Sequence, residues 1–140
     1  MTDESDERYQ QGREVFARMW GEESIRRFET NVGALSPDLL GAIMRFVAGE
    51  IWTRQGIDPK TRSLITIAVL GTLGRNRQMG EHIEGALGNG ATEEEIVETL
   101  LHLSVYAGFP AAWDSLEVAR RVFRTRHRRP NFDPENNGSR

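Results

Sequence analysis

The residues best suited to chemistry fall into three groups. The first centres on His82, in Gly80-Glu81-His82-Ile83-Glu84, an imidazole with a carboxylate beside it and another following. Imidazole titrates near neutral pH, so it can carry a proton or donate a hydrogen bond at a reacting centre. On residue type alone, a lone helical histidine is more often structural or exposed than catalytic. The other histidines are His102 and His127. No two of the three have the short spacing of a metal pair on one helix. His102 lies in a strongly apolar stretch and reads as a core or interface residue. His127 belongs to an arginine-rich tail and reads as solvated.

The second group is Gly49-Glu50-Ile51-Trp52-Thr53-Arg54-Gln55-Gly56-Ile57-Asp58, where an acid, an aromatic and a base precede the most apolar helix. Connections held by rigid helices are common homes for binding groups. The plainer alternative is a helix end with a packed tryptophan and a surface ion pair, and residue type alone tilts towards it.

The third group is the basic run Arg120, Arg121, Arg124, Arg126, Arg128 and Arg129. Arginines contact phosphates, but cations also favour helix C-termini through the macrodipole. The formal net charge is −3 and only Phe123 and Phe132 interleave with the arginines, so a nucleic-acid partner is not expected.

The chain contains no cysteine, which excludes disulfides, thiolate nucleophiles and Cys-type metal sites. Walker, nucleophile-elbow and glycine-rich phosphate motifs are absent. No apolar run approaches the roughly 20 residues of a membrane span. The acidic, polar opening Met1-Thr2-Asp3-Glu4-Ser5-Asp6 is unlike a signal peptide, and the expected location is cytoplasmic.

The elements that must position these groups read as all-α: a compact bundle of about six helices with short connections. The first helix is expected over Asp6–Trp20, followed by a short Glu- and Arg-rich connection. Ser36-Pro37 announces the second helix with an N-cap and a proline at the first helical position. Asp58-Pro59 repeats the signal and opens a helix that is apolar almost all round, through Leu64, Ile65, Ile67, Val69, Leu70 and Leu73. Such a helix needs cover from other helices or from a partner subunit. A shorter helix over Arg77–Leu87 ends at Gly88-Asn89-Gly90, where glycine and asparagine tolerate the left-handed conformation. Thr92 and Glu95 form a capping box for the next helix. Gly108 and Pro110 separate it from the last. Residues 1–125 are expected to form a single domain, and 126–140 a polar, disordered tail.

Gly49–Leu70 (GEIWTRQGIDPKTRSLITIAVL), Glu81–His102 (EHIEGALGNGATEEEIVETLLH) and Tyr106–Ala112 (YAGFPAA) together resemble the 4-carboxymuconolactone decarboxylase family in sequence, order and spacing. The resemblance covers roughly Tyr9 to Phe123. It implies an alkylhydroperoxidase-D-like helical fold, a homo-oligomer such as a trimer or hexamer, and an enzyme without a metal or other cofactor. Thiol peroxidases of the wider superfamily carry Cys-x-x-Cys just before the histidine. Here the matching residues are Arg75-Asn76-Arg77-Gln78, so peroxidatic chemistry is excluded.

The implied reaction is loss of carbon dioxide from a carboxylated lactone, 4-carboxymuconolactone or a close analogue, to give 3-oxoadipate enol-lactone. Electrons from the breaking bond flow through the ring double bond into the lactone carbonyl. Such a reaction needs a donor at the developing oxyanion, a source of a proton for ring carbon and cations to hold carboxylates. By resemblance, His82 is the proton donor or oxyanion stabiliser, with a pKa near the operating pH as its qualification. Glu50 orients it or carries the proton itself. Arg54, then Arg62, clamps the substrate carboxylate, while Trp52 and Tyr106 wall out water.

The chain departs from the family pattern at Gln55 (usually proline), Gly88 (usually asparagine) and Trp113 (usually asparagine). Trp113 would narrow a pocket and remove a polar contact, which opens the substrate to revision. The alternatives are a same-fold isomerase or cyclase acting on a related small acid, and a non-catalytic helical oligomer that binds a ligand.

Overall fold

The computed structural model describes residues 4–135. Among them every regular element is helical: α1 (Glu4–Trp20), α2 (Glu22–Leu35), α3 (Pro37–Ala42), a π-helix (Ile43–Ile51), α4 (Pro59–Thr72), α5 (Asn76–Gly88), α6 (Glu93–Ala107) and α7 (Phe109–His127). No helix among these residues is long and apolar enough to cross a membrane. The chain divides into two compact units, one ending at Asp58 and the other starting at Pro59.

In the first unit α1 lies along the π-helix. Two glycines permit the approach. A Cβ on Gly12 would collide with the Met44 carbonyl oxygen and the Gly49 nitrogen, and one on Gly49 would collide with the Arg8 carbonyl oxygen. Phe16, Met19, Met44, Ala48 and Trp52 fill the core beside this crossing. The Glu- and Arg-rich segment expected as a connection is instead a full helix, α2. Only Ile25 of α2 is buried, so its apolar signal is thin. Polar contacts tie it down: Arg13 donates to Glu22 at 2.6 Å and to Glu29 at 3.0 Å, and the Tyr9 hydroxyl donates to Glu29 at 3.0 Å. Ser36 caps α3 as expected, its Oγ accepting from the Leu39 N–H at 3.1 Å, with Pro37 at the first helical position. The rod from Pro37 then widens into the nine-residue π-helix, which ordinary helical periodicity does not reveal.

In the second unit α4 to α7 enclose Ile67, Met79, Ile83, Leu100, Leu103 and Ala119. A Cβ on Gly71 would come within 2.8 Å of the Ser115 hydroxyl, so this glycine is needed where α4 meets α7. The capping box is present as expected: Glu95 N–H donates to Thr92 Oγ1 at 3.0 Å, and Thr92 N–H donates to Glu95 Oε1 at 3.1 Å. The glycine-rich turn ends α5 at Gly88, as expected. Asn89 keeps a negative φ, while Gly90 takes the left-handed position at φ 90°. The Asn89 side chain donates to Ser63 Oγ at 3.0 Å, fastening the end of α5 to α4.

The apolar helix α4 is not covered all round by its own chain. Ile65 and Val69 stand on its surface, and Leu73 is exposed in the turn just after it, as are Leu101 and Val105 on α6. The last helix continues through His127, and the chain beyond it folds back. Arg126 lies 5.0 Å from the centre of the Phe132 ring, and the His127 and Phe132 rings are 4.4 Å apart. The part of the expected disordered tail beyond Glu135 lies outside the described residues.

Candidate active site

Glu50, Trp52 and Arg54 belong to the first unit; Arg62, His82, Tyr106 and Trp113 belong to the second. In the first unit, Glu50 occupies the penultimate residue of the π-helix. Short π-helical stretches inside helices are rare and frequently mark functional positions. The Glu50 carboxylate accepts from Arg8 Nη1 at 3.0 Å, and Arg8 also reaches Glu4 at 2.8 Å. About half of the Glu50 side chain remains exposed, which leaves it open to water. Arg8 carried no signal in the sequence, because it is 42 residues from Glu50 and is delivered by the Gly12–Gly49 crossing.

Trp52 follows the π-helix and is buried in the core of the first unit, edge-on to Phe16 with ring centres 6.4 Å apart. Its packing anchors the helix end that carries Glu50. Thr53 Oγ1 donates to the Gly49 carbonyl at 2.8 Å, closing the widened turn. The Arg54 N–H returns to the Ile51 carbonyl at 3.2 Å, and the Arg54 side chain is exposed.

In the second unit, His82 sits in the middle of α5 and is largely buried, with Nδ1 shielded from solvent. Burial disfavours the imidazolium and lowers the pKa to about 4. This corrects the expectation of a pKa near the operating pH: at neutral pH the ring is a neutral imidazole. The carboxylates near it in sequence form ion pairs of their own, Glu81 with Arg77 at 3.6 Å and Glu84 with Arg129 at 3.4 Å. A neutral imidazole donates one N–H and accepts at its other nitrogen.

Arg62 lies near the start of α4 with its Nε shielded from solvent. Tyr106 and Trp113 flank the turn between α6 and α7, and are 80% and 71% exposed. Tyr106 stands 5.4 Å from the ring of His102. His102 is itself exposed on the chain, so it is not a core residue; the interface alternative remains. Among the described residues, no three His, Asp or Glu side chains are grouped to hold a metal ion.

The model of the carboxymuconolactone decarboxylase family matches residues 37–121. The chain belongs to this family. The match runs from the start of α3 into α7 and includes all seven expected site residues. A family relative, the 4-carboxymuconolactone decarboxylase of Acinetobacter baylyi, is 41% identical over 124 residues, which span 89% of this chain and 91% of that protein. The nitrosuccinic acid decarboxylase of Metarhizium robertsii is 37% identical over 82 residues, spanning 57% of this chain and 56% of that protein. The match to the first relative extends over more of the chain than the family model does.

Proposed function

We propose that the protein is a carboxy-lyase that decarboxylates a small carboxylated lactone, 4-carboxymuconolactone or a close analogue, to the corresponding enol-lactone. The observation that carries this reading is the similarity to a 4-carboxymuconolactone decarboxylase along about nine-tenths of both chains.

In this reading the neutral His82 donates its N–H to the lactone oxygen as negative charge gathers there. A neutral donor is well suited to this role, because it stabilises the oxyanion without also holding the departing carboxylate as a cation would. We assign delivery of the proton to ring carbon to Glu50, whose carboxylate lies open to water. Arg8 fixes the orientation of the half-exposed Glu50 carboxylate. Arg54 and Arg62 bind the carboxylate that the substrate retains, and Tyr106 and Trp113 contribute apolar surface. The substrate carries its own electron sink, so the chemistry requires no metal or other cofactor.

Self-association belongs to the same proposal. Ile65 and Val69 on α4, Leu73 just after it, and Leu101 and Val105 on α6 are apolar side chains left exposed by the chain. A homo-oligomer, trimer or hexamer, buries them and gives the exposed Tyr106 and Trp113 a neighbour. The proposed location is the cytoplasm.

The relative named as a nitrosuccinic acid decarboxylase favours one second reading, in which the same chemistry acts on another small acid. Incubation with 4-carboxymuconolactone, with the products followed by NMR, tests the proposal. Conversion to 3-oxoadipate enol-lactone supports it. Unchanged lactone, or an isomer that keeps every carboxylate, contradicts it.

A further inference from the structure

A groove of about 550 Å³ runs between the start of α6 and the C-terminal half of α7, apart from every residue assigned to the reaction. Its volume falls within the roughly 300–1,000 Å³ typical of small-molecule sites. Val97, Leu116 and Phe123 supply apolar lining. Arg120, Arg124 and Arg128, spaced by four, also line it, and Arg124 lies in the last turn of α7.

Charge decides which ligand suits the groove. Both carboxylates that line it are already engaged: Glu93 by Arg126 at 2.8 Å and by His127 at 2.7 Å, and Glu117 by Arg120 at 2.8 Å. Arg124 and Arg128 add two cations with no carboxylate within 4.0 Å among the described residues, so the groove is cationic over an apolar floor. Guanidinium groups bind carboxylates and sulfonates through paired N–H donors and stack on aromatic faces. Phe123 offers an aromatic surface alongside them. The C-terminal segment reinforces the wall, since Phe132 packs on Arg126 and His127.

We propose that this groove is a second ligand site, for a small amphiphilic anion: an aromatic body bearing a carboxylate or sulfonate. The proposal is independent of the decarboxylase reading, because none of its residues belongs to that machinery.

The probe for the test is 8-anilinonaphthalene-1-sulfonate, followed by fluorescence titration of the full chain. Saturable binding is expected. The Arg124→Glu/Arg128→Glu double variant, both sites being exposed, weakens it by at least about tenfold. The uncharged N-phenyl-1-naphthylamine, which has the same rings without the sulfonate, binds the wild type at least about tenfold more weakly. Equal affinity for the two dyes overturns the proposal. So does an affinity unchanged by the double substitution in protein whose circular dichroism shows it folded. If the double variant fails to fold, the dye comparison on the wild type and the single Arg124→Gln variant decide the matter by the same criteria.

Discussion

Replacing His82 by glutamine removes a buried titrating ring while keeping a similar polar side chain. In the wild type the imidazole has a pKa of about 4 because burial disfavours its charged form, against 6.5 for an ordinary histidine. Between these values the unfolded chain takes up a proton that the folded chain refuses. Stability is therefore lost as pH falls from about 6.5 to about 4, and His82 contributes no slope above or below that window. At 1.36 kcal/mol per pKa unit the full loss is about 3 kcal/mol, an upper bound because the ring keeps some contact with solvent. Urea unfolding monitored by circular dichroism at one fixed protein concentration, from pH 4 to 7.5, measures the effect. Carboxylates titrate in both proteins, so the difference between wild type and His82→Gln isolates the histidine. The wild-type curve should fall away from that of the variant below pH 6.5. Parallel curves would refute the reasoning, as would an NMR titration placing the His82 ring near 6.5.

Three further outcomes follow from other contacts. Arg8→Met removes the partner of Glu50. Decarboxylation should slow by about tenfold with little change in KM, while stability falls by no more than about 1 kcal/mol because the pair is half exposed; steady-state kinetics beside urea melts separate these effects. Gly12→Ala drives a methyl group into the Met44 carbonyl and should cost about 1–3 kcal/mol or more, read as a lowered urea midpoint. Val69→Asp or Val105→Asp places a charge on the uncovered apolar faces and should lower the molecular mass measured by light scattering, without loss of helical circular dichroism.

Local signals explain which parts of the fold were legible. Ser36-Pro37 and Thr92–Glu95 act within one helical turn, so their spacing carries the cap directly, and both caps are present. The sequence gives little apolar signal for α2 because polar contacts to α1 hold it, with only Ile25 buried. The π-helix reads as an ordinary helix end in the sequence because apolar spacing does not distinguish the wider turn. The candidate residues are named from the sequence through motif resemblance, but their surroundings are not legible there. Arg8 reaches Glu50 across 42 residues, and that pairing depends on a backbone crossing made by two glycines. The imidazole of His82 is neutral because of burial created by the fold, which neither Glu81 nor Glu84 beside it announces.

The proposed chemistry stands or falls on His82 acting at the developing oxyanion while a small acid loses carbon dioxide. The decisive measurement is carbon dioxide released from 4-carboxymuconolactone by the purified wild type, beside His82→Ala at matched concentration and pH 7. The wild type should release one equivalent per lactone consumed. The variant should be slower by about a hundredfold, the usual scale for losing an oxyanion donor. No release above that of the variant, or equal rates from the two proteins, would contradict the assignment.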